Sequence, residues 1–258
     1  MLDIRREILR NVVLCQALEP LAKKPGLTQR LQDPTAGAKL EYFIVAGVNS
    51  CWMFYDLADR ILRAGGQPEC IFDLAYEAQA ASTRNRLGSK VNYGQISLLV
   101  LLVTAQVLEY IDKGNYDNVE AVLRRTQEVL RNTTEKDVEF VEKFIHLGYE
   151  QSARHHERVG DPKSSRPPVL KGRYTNLRDS FLDYQQIHIV REMSQGYPNT
   201  LQVYRYLLHN LEEGILHGSE MIYRILLPEL QRPDAVADII AAGLYLTLMG
   251  HPEAVLFT

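Results

Sequence analysis

An all-α fold, one domain of about eight to ten helices, is what the 258-residue sequence predicts. Three observations predict it. Apolar residues recur at three- and four-residue spacing in one segment after another, the signature of a helix with one buried face. Strand-like alternation of any length is hard to find. Gly, Pro and side chains suited to capping stand where each periodic segment begins or stops. No internal repeat at solenoid spacing is evident.

The first helix carries Ile4, Ile8, Leu9, Val12, Val13 and Leu14 at helical spacing, with Asp3 as its cap, and should reach about Leu21. Pro25 and Gly26 stop it, and a long loop continues through Pro34 and Gly37. The second helix, Leu40 to Ala64, is apolar on most sides, which predicts a central position. A third is expected from Glu69 to Arg86, and a fourth from Gln95 to Ile111, ended by Lys113-Gly114-Asn115. The fifth runs from Asp117 to Leu130. The sixth opens on Thr133-Thr134-Glu135, a Thr cap followed by acids, and reaches His156. Residues 160–175, rich in Pro, Ser and Lys, predict a mobile loop within the single domain 1–258. Helices follow over Asn176–Ser194, over Asn199–Leu226 with Gly214 and Gly218 as interruptions, and over Asp234–Met249.

Composition narrows the functional classes. Hydrophobic content is 46% and charged content 24%, ordinary for a folded soluble protein. Net charge is −3 with no basic block, which argues against a nucleic-acid partner. Cys15, Cys51 and Cys70 lack the spacing of a disulfide frame or a zinc site, and predict a reducing compartment. The charged N-terminus does not suit a signal peptide, and the longest apolar run, near Ile96–Ala105, is short for a bilayer. The cytoplasm is the expected location, with no membrane partner.

The stretch with most chemical content is Arg84 to Gln95. Gly88 and Gly94 bracket Ser89, Lys90 and Asn92, and a long apolar helix starts directly afterwards. Free N–H groups at a helix start, with Arg84, Arg86 and Lys90 nearby, suit an anion. It is not a nucleotide P-loop, because the closing Gly-Lys-Ser/Thr is absent. The glycines would equally serve to end one helix and let the next pack closely.

Five short motifs, in order along the chain, resemble those of the triphosphoribosyl-dephospho-CoA synthases and their archaeal and methylotroph relatives. They are Lys24-Pro25-Gly26-Leu27 with Arg30; Gly88-Ser89-Lys90-Val91-Asn92-Tyr93-Gly94; Asn132-Thr133-Thr134 with Asp137; Arg191-Glu192 with Gly196-Tyr197; and Pro252-Glu253. The chain also departs from that pattern. The family's Gly-Ala-His-x-Asp reads Gly37-Ala38-Lys39-Leu40-Glu41, and Gln186-Ile187 replaces an Arg-Asp pair. Gln151–His156 stands where a Gly-Gly-Leu-Gly loop is expected, and a terminal Arg-Lys-x-Gly is missing.

The resemblance implies a transferase that uses ATP as substrate with Mg²⁺. A hydroxyl acceptor attacks the ribose, adenine leaves, and the triphosphate stays on the sugar. On that reading Lys24, Gly26, Arg30, Gly88, Ser89, Lys90, Asn92 and Gly94 hold the nucleotide, while Glu41 and Glu192 are the acid/base candidates. Each residue has a plainer explanation. Lys24 suits a solvated loop, Arg30 a helix end, Glu41 a helix's first turn, Glu192 a surface ion pair and Asp137 a simple cap. His146, His155 and His156 lack a ligand pattern, so no metal site is expected. Lys24, Arg30, Glu41, Lys90 and Glu192 should line one cleft if the transferase reading holds. Two alternatives stand beside it: an enzyme of C1-carrier (tetrahydromethanopterin-type) cofactor biosynthesis, suited by Lys39 and Lys90 facing a more anionic acceptor, and a catalytically silent helical interaction protein. The apolar helices hint at a homodimer.

Overall fold

The computed structural model describes residues 3–25, 27, 39–84, 91–159 and 168–257. Those residues form eleven α-helices and short 3₁₀ turns, without strands. They are α1 (Ile4–Leu18), α2 (Leu40–Arg63), α3 (Phe72–Ser82), α4 (Tyr93–Lys113), α5 (Val119–Asn132), α6 (Glu135–Val159), α7 (Leu177–Asp183), α8 (His188–Ser194), α9 (Pro198–His209), α10 (Ile215–Leu230) and α11 (Pro233–Gly250). The all-α expectation holds.

Local chemistry sets many of the helix starts. Asp3 accepts from the Arg5 N–H at 3.1 Å and opens α1. Asn118 and Asn176 do the same for α5 and α7 at 2.9 and 3.0 Å. Asp137, three residues after Thr134, has two tasks. One oxygen accepts from the Thr134 N–H at 3.0 Å; the other accepts from the Ile71 and Phe72 N–H groups at 2.8 and 3.2 Å. A single carboxylate from α6 thereby caps its own helix and the start of α3.

The core is built around α4 and α11. Gly94 to Val107 and Ala235 to Met249 are buried almost without interruption. Both helices are long and apolar enough to cross a membrane by length and composition, which the shorter run read from sequence did not suggest. Yet 83% and 78% of their apolar windows are covered by the other helices, as in the core of a bundle. The end of α1 meets the start of α4, where Gln95 donates to Glu19, and the Tyr245 hydroxyl of α11 bonds Gln106 of α4.

Two expectations are corrected. Helix α2 is not central. It packs on α1, α3 and α4 but leaves Val45, Val48 and Trp52 43, 50 and 56% exposed. The expected helix over 176–194 is two helices with a turn at Tyr184–Ile187. No Gly or Pro marks that break. Both helices touch α5, but α7 also packs against α6 while α8 turns onto α4 and α11. The interruption expected at Gly214 is present, where φ is +91° between a 3₁₀ turn and α10. Of the loop expected at 160–175, residues 160–167 lie outside the described residues. In the remainder Leu170 is buried, and its N–H and that of Lys171 donate to Glu142.

Candidate active site at the start of the central helix

Helix α4 begins at a left-handed Asn92, φ +56°, whose side chain does not cap it. Its first N–H groups have no partner along the helix by construction, so this end carries a partial positive charge. Four other segments gather round it.

The first is the end of α1 and the turn after it. Glu19, 2% exposed, accepts from Gln95 Nε2 at 3.3 Å. Lys24 turns inward, fully buried, and pairs with Glu19 at 2.8 Å; its ammonium also donates to the Glu19 carbonyl. Helix α10 pins this turn: Glu220 accepts from the Lys23 N–H at 3.0 Å, and the Tyr223 hydroxyl donates to the Pro25 carbonyl at 3.2 Å. Burial, together with the charges of Glu19 and Asp234, raises the Tyr223 pKa, so the phenol stays protonated as a donor.

The second is α2. Asn92 Nδ2 donates to the Phe43 carbonyl at 3.2 Å, and Gln16 Oε1 accepts from Ser50 Oγ at 3.3 Å. Gly47 lies between these pairs. A Cβ there would come within 3.0 Å of Gln16 Oε1 and 3.8 Å of Asn92 Nδ2. The third is α11, whose Asp238 carboxylate lies against Gly94; any side chain at Gly94 would overlap it. One turn earlier, Asp234 pairs with Arg232 at 2.8 Å. Burial opposes ionisation of Asp234, but the Arg232 guanidinium and backbone N–H groups outweigh it and hold the carboxyl below its usual range. The fourth is α6: Tyr93 stacks on Phe144 at 4.4 Å and lies against Gly148, where a Cβ would be 2.5 Å from the ring.

Buried amides near this end are only partly satisfied. Gln16 Nε2, Asn92 Oδ1 and Gln95 Oε1 have no hydrogen-bond partner although Gln16, Asn92 and Gln95 are 0, 3 and 1% exposed. Such groups in a native structure call for a water or a ligand. No three His, Cys, Asp or Glu side chains converge to hold a metal ion among the described residues. Of the carboxylates here, Asp234 and Asp238 are those one turn apart on one helix.

The sequence-expected residues divide. Lys24, Asn92 and Gly94 come together at the start of α4. Gly26, Arg30, Gly88, Ser89 and Lys90 lie outside the described residues. Glu41 is exposed in the first turn of α2, on the face that carries Val45 and Val48, while Gly47 and Ser50 face α1. Glu192 is 1% exposed, and both its oxygens are engaged at the start of α9, accepting from Asn199 Nδ2 and the Thr200 N–H at 2.7 Å each. The one cleft expected for these side chains is thus not formed by Lys24, Glu41 and Glu192. Sequence reading missed Gln16, Glu19, Gln95 and Asp238. A signal existed: Gln16 and Glu19 interrupt an apolar stripe one turn apart, and Asp238 follows Asp234 by one turn in an otherwise apolar helix.

A family model described as ATP:dephospho-CoA triphosphoribosyl transferase (CitG) matches residues 5–231, most of the chain. This chain belongs to that family. The match takes in all the segments that meet at the start of α4 except α11, which begins after it at Pro233. A solved structure from Archaeoglobus fulgidus, described as a candidate triphosphoribosyl-dephospho-CoA synthase, aligns with a TM-score of 0.55 at 16% identity, covering 83% of this chain and 99% of that one. At that identity the likeness concerns the fold. No curated protein matches the sequence. The family uses ATP as a substrate.

Proposed function

We propose that this triphosphoribosyl transferase relative moves the triphosphoribosyl group of ATP onto a hydroxyl acceptor, releasing adenine, at the start of α4. The observation that carries the reading is the buried set of Glu19, Lys24, Gln16, Asn92 and Gln95 around a helix N-terminus, with three amide atoms still unpartnered. In the reaction, the acceptor oxygen bonds to the ribose anomeric carbon as the bond to adenine breaks. The bond electrons leave with adenine, which takes a proton, and the acceptor's proton passes to a base. Asp238, against Gly94, is the carboxylate best sited for that base or for steadying positive charge on the ribose. Arg30, Lys90, Ser89 and the Gly26 and Gly88–Gly94 backbone complete the nucleotide contacts in this reading. Lys24 acts through Glu19, holding Gln95 in place. Glu192 acts on α9, and Glu41 lies on the outer face of α2.

The test is release of adenine from ATP and Mg²⁺ in the presence of dephospho-CoA, followed by chromatography, with titration calorimetry against ATP and an ADP control. One adenine per acceptor modified is expected. No adenine in a single turnover, and no heat at protein concentrations able to detect roughly millimolar binding, would overturn the reading. Two observations favour a second reading, a non-catalytic interaction protein: the full pairing of Lys24 and the outward position of Glu41. A single turnover of adenine release eliminates it. If dephospho-CoA is inert while ATP binds, metabolite profiling of a deletion strain asks whether C1-carrier pools change.

A further inference from the structure

Helices α8 and α11 both pack on α4 and on each other, and they bring three groups able to carry positive charge to one place. His188 and Arg191 stand one turn apart on α8, with Arg191 Nη2 2.8 Å from His188 Nδ1. Arg232 stands just before α11, where its Nε and Nη2 donate to the Asp234 carboxylate at 3.1 and 2.8 Å. Asp234 lies one helical turn, about 6 Å, before the Asp238 that meets Gly94.

The contacts within this group leave donors over. A guanidinium only donates, so His188 Nδ1 accepts, and the ring is neutral with its proton on Nε2. Burial and the charges of Arg191 and Arg232 favour that neutral form, against the pull of Asp234. Among the described residues His188 Nε2–H has no partner and Arg191 has no carboxylate. Arg191 is half-buried, where a guanidinium ordinarily finds a counter-ion. Arg232 commits two of its five N–H groups to Asp234. One carboxylate thus stands among two guanidiniums, and the remaining donors suit an oxyanion that accepts several hydrogen bonds at once. Phosphate is the oxyanion that the planar arginine fork matches best.

We propose that Arg191, His188 and Arg232 form a phosphate-binding subsite on the α8–α11 side of the start of α4. The subsite is read from these side chains; that its ligand is a phosphate of one of the two substrates rests on the transferase reading. The phosphate belongs either to the hydroxyl acceptor or to the triphosphate of ATP.

The test reads His188 directly. In proton–nitrogen correlation spectra its imidazole is assigned, among the seven histidines, by its loss in His188→Gln. The Nε2–H tautomer is expected, and sodium pyrophosphate should shift these resonances along a saturable curve. Arg191→Gln and Arg232→Gln should each weaken that binding by about tenfold or more, and Arg191→Lys by less. Arg232 is 59% exposed, so its variant tests the subsite even if Arg191→Gln disturbs the fold. Arg63→Gln controls for general charge and should leave binding unchanged: Arg63 is 80% exposed at the end of α2, next to the Gly66 that meets the last turns of α4. Adenine release then identifies the source. A raised KM for dephospho-CoA in Arg232→Gln assigns the acceptor's phosphate, and a raised KM for ATP assigns the triphosphate. Pyrophosphate binding at His188 without adenine release supports the subsite and fails only the transferase reading. Resonances that do not move with pyrophosphate, or binding indifferent to both arginine variants, overturn the proposal.

Discussion

Lys24 shows how far a residue's environment decides its role. The residue before a proline is biased to extended backbone, and the sequence reads it as a loop amine directed at a ligand. The turn instead directs the ammonium inward to Glu19, out of contact with solvent. A buried pair of this kind contributes little net stability when intact, but removing one partner leaves a bare charge in the core. Lys24→Ala should therefore cost about 3–5 kcal/mol, read by chemical denaturation, and Lys24→Met with Glu19→Leu should recover much of that loss. Glu192 offers a pH signature. Burial, only partly offset by Thr200 and Asn199, raises its pKa above the ordinary glutamate range. The folded chain then keeps a proton that the unfolded chain has already lost. Stability from this group therefore rises as pH falls from its raised value toward the ordinary range. Glu192→Gln should flatten that part of a plot of melting temperature against pH.

Helix ends, more than helix bodies, carry the functional argument. The start of α4 is closed by a glycine against Asp238, so Gly94→Ala forces the Asp238 carboxylate away while the apolar body of the helix stays packed. Adenine release should fall by about a hundredfold or more if Asp238 serves as the base, a span typical of a positioned acid–base group. Circular dichroism should change little. The start of α3 depends on a residue from another helix. Asp137→Ala removes an acceptor from the Ile71, Phe72 and Thr134 N–H groups together, and should cost about 2–3 kcal/mol by the worth of bonds to a charged group. Asp137→Asn, which keeps one acceptor oxygen, should cost less. Both are read from urea midpoints. The outer face of α2 is the opposite case, an element whose apolar residues Val45, Val48 and Trp52 stay exposed.

At the scale of the whole molecule, α4 and α11 form an apolar axis wrapped by the remaining helices. Amides in such an axis exchange only when most of the structure opens. Hydrogen exchange followed by mass spectrometry should find the slowest peptides in Leu98–Val107 and Ile239–Leu248, and much faster exchange in the first turns of α2. Equal protection in α2 would mean that its outer face is covered in solution. The axis also explains why the site sits where it does. The starts of α4 and α11 lie side by side at one end, so the polar groups that cannot enter the apolar interior gather there.

By itself the sequence determined the helical class, most helix limits and the cap at Asp3, because spacing, capping residues and Gly or Pro act over a few neighbours. It also carried the family, since ordered short motifs survive as residue identities. Asn92, Gly94 and Lys24 were legible as motif residues for the same reason, and the structure brings them together at the start of α4. Only the tertiary structure decided that α4 and α11, not α2, are central, that 176–194 bends in two, and that Lys24 faces Glu19 while Glu192 serves α9. Those outcomes depend on which surfaces meet across the chain. Burial converts a charged side chain into a paired structural one, and no local pattern records which helix will cover it.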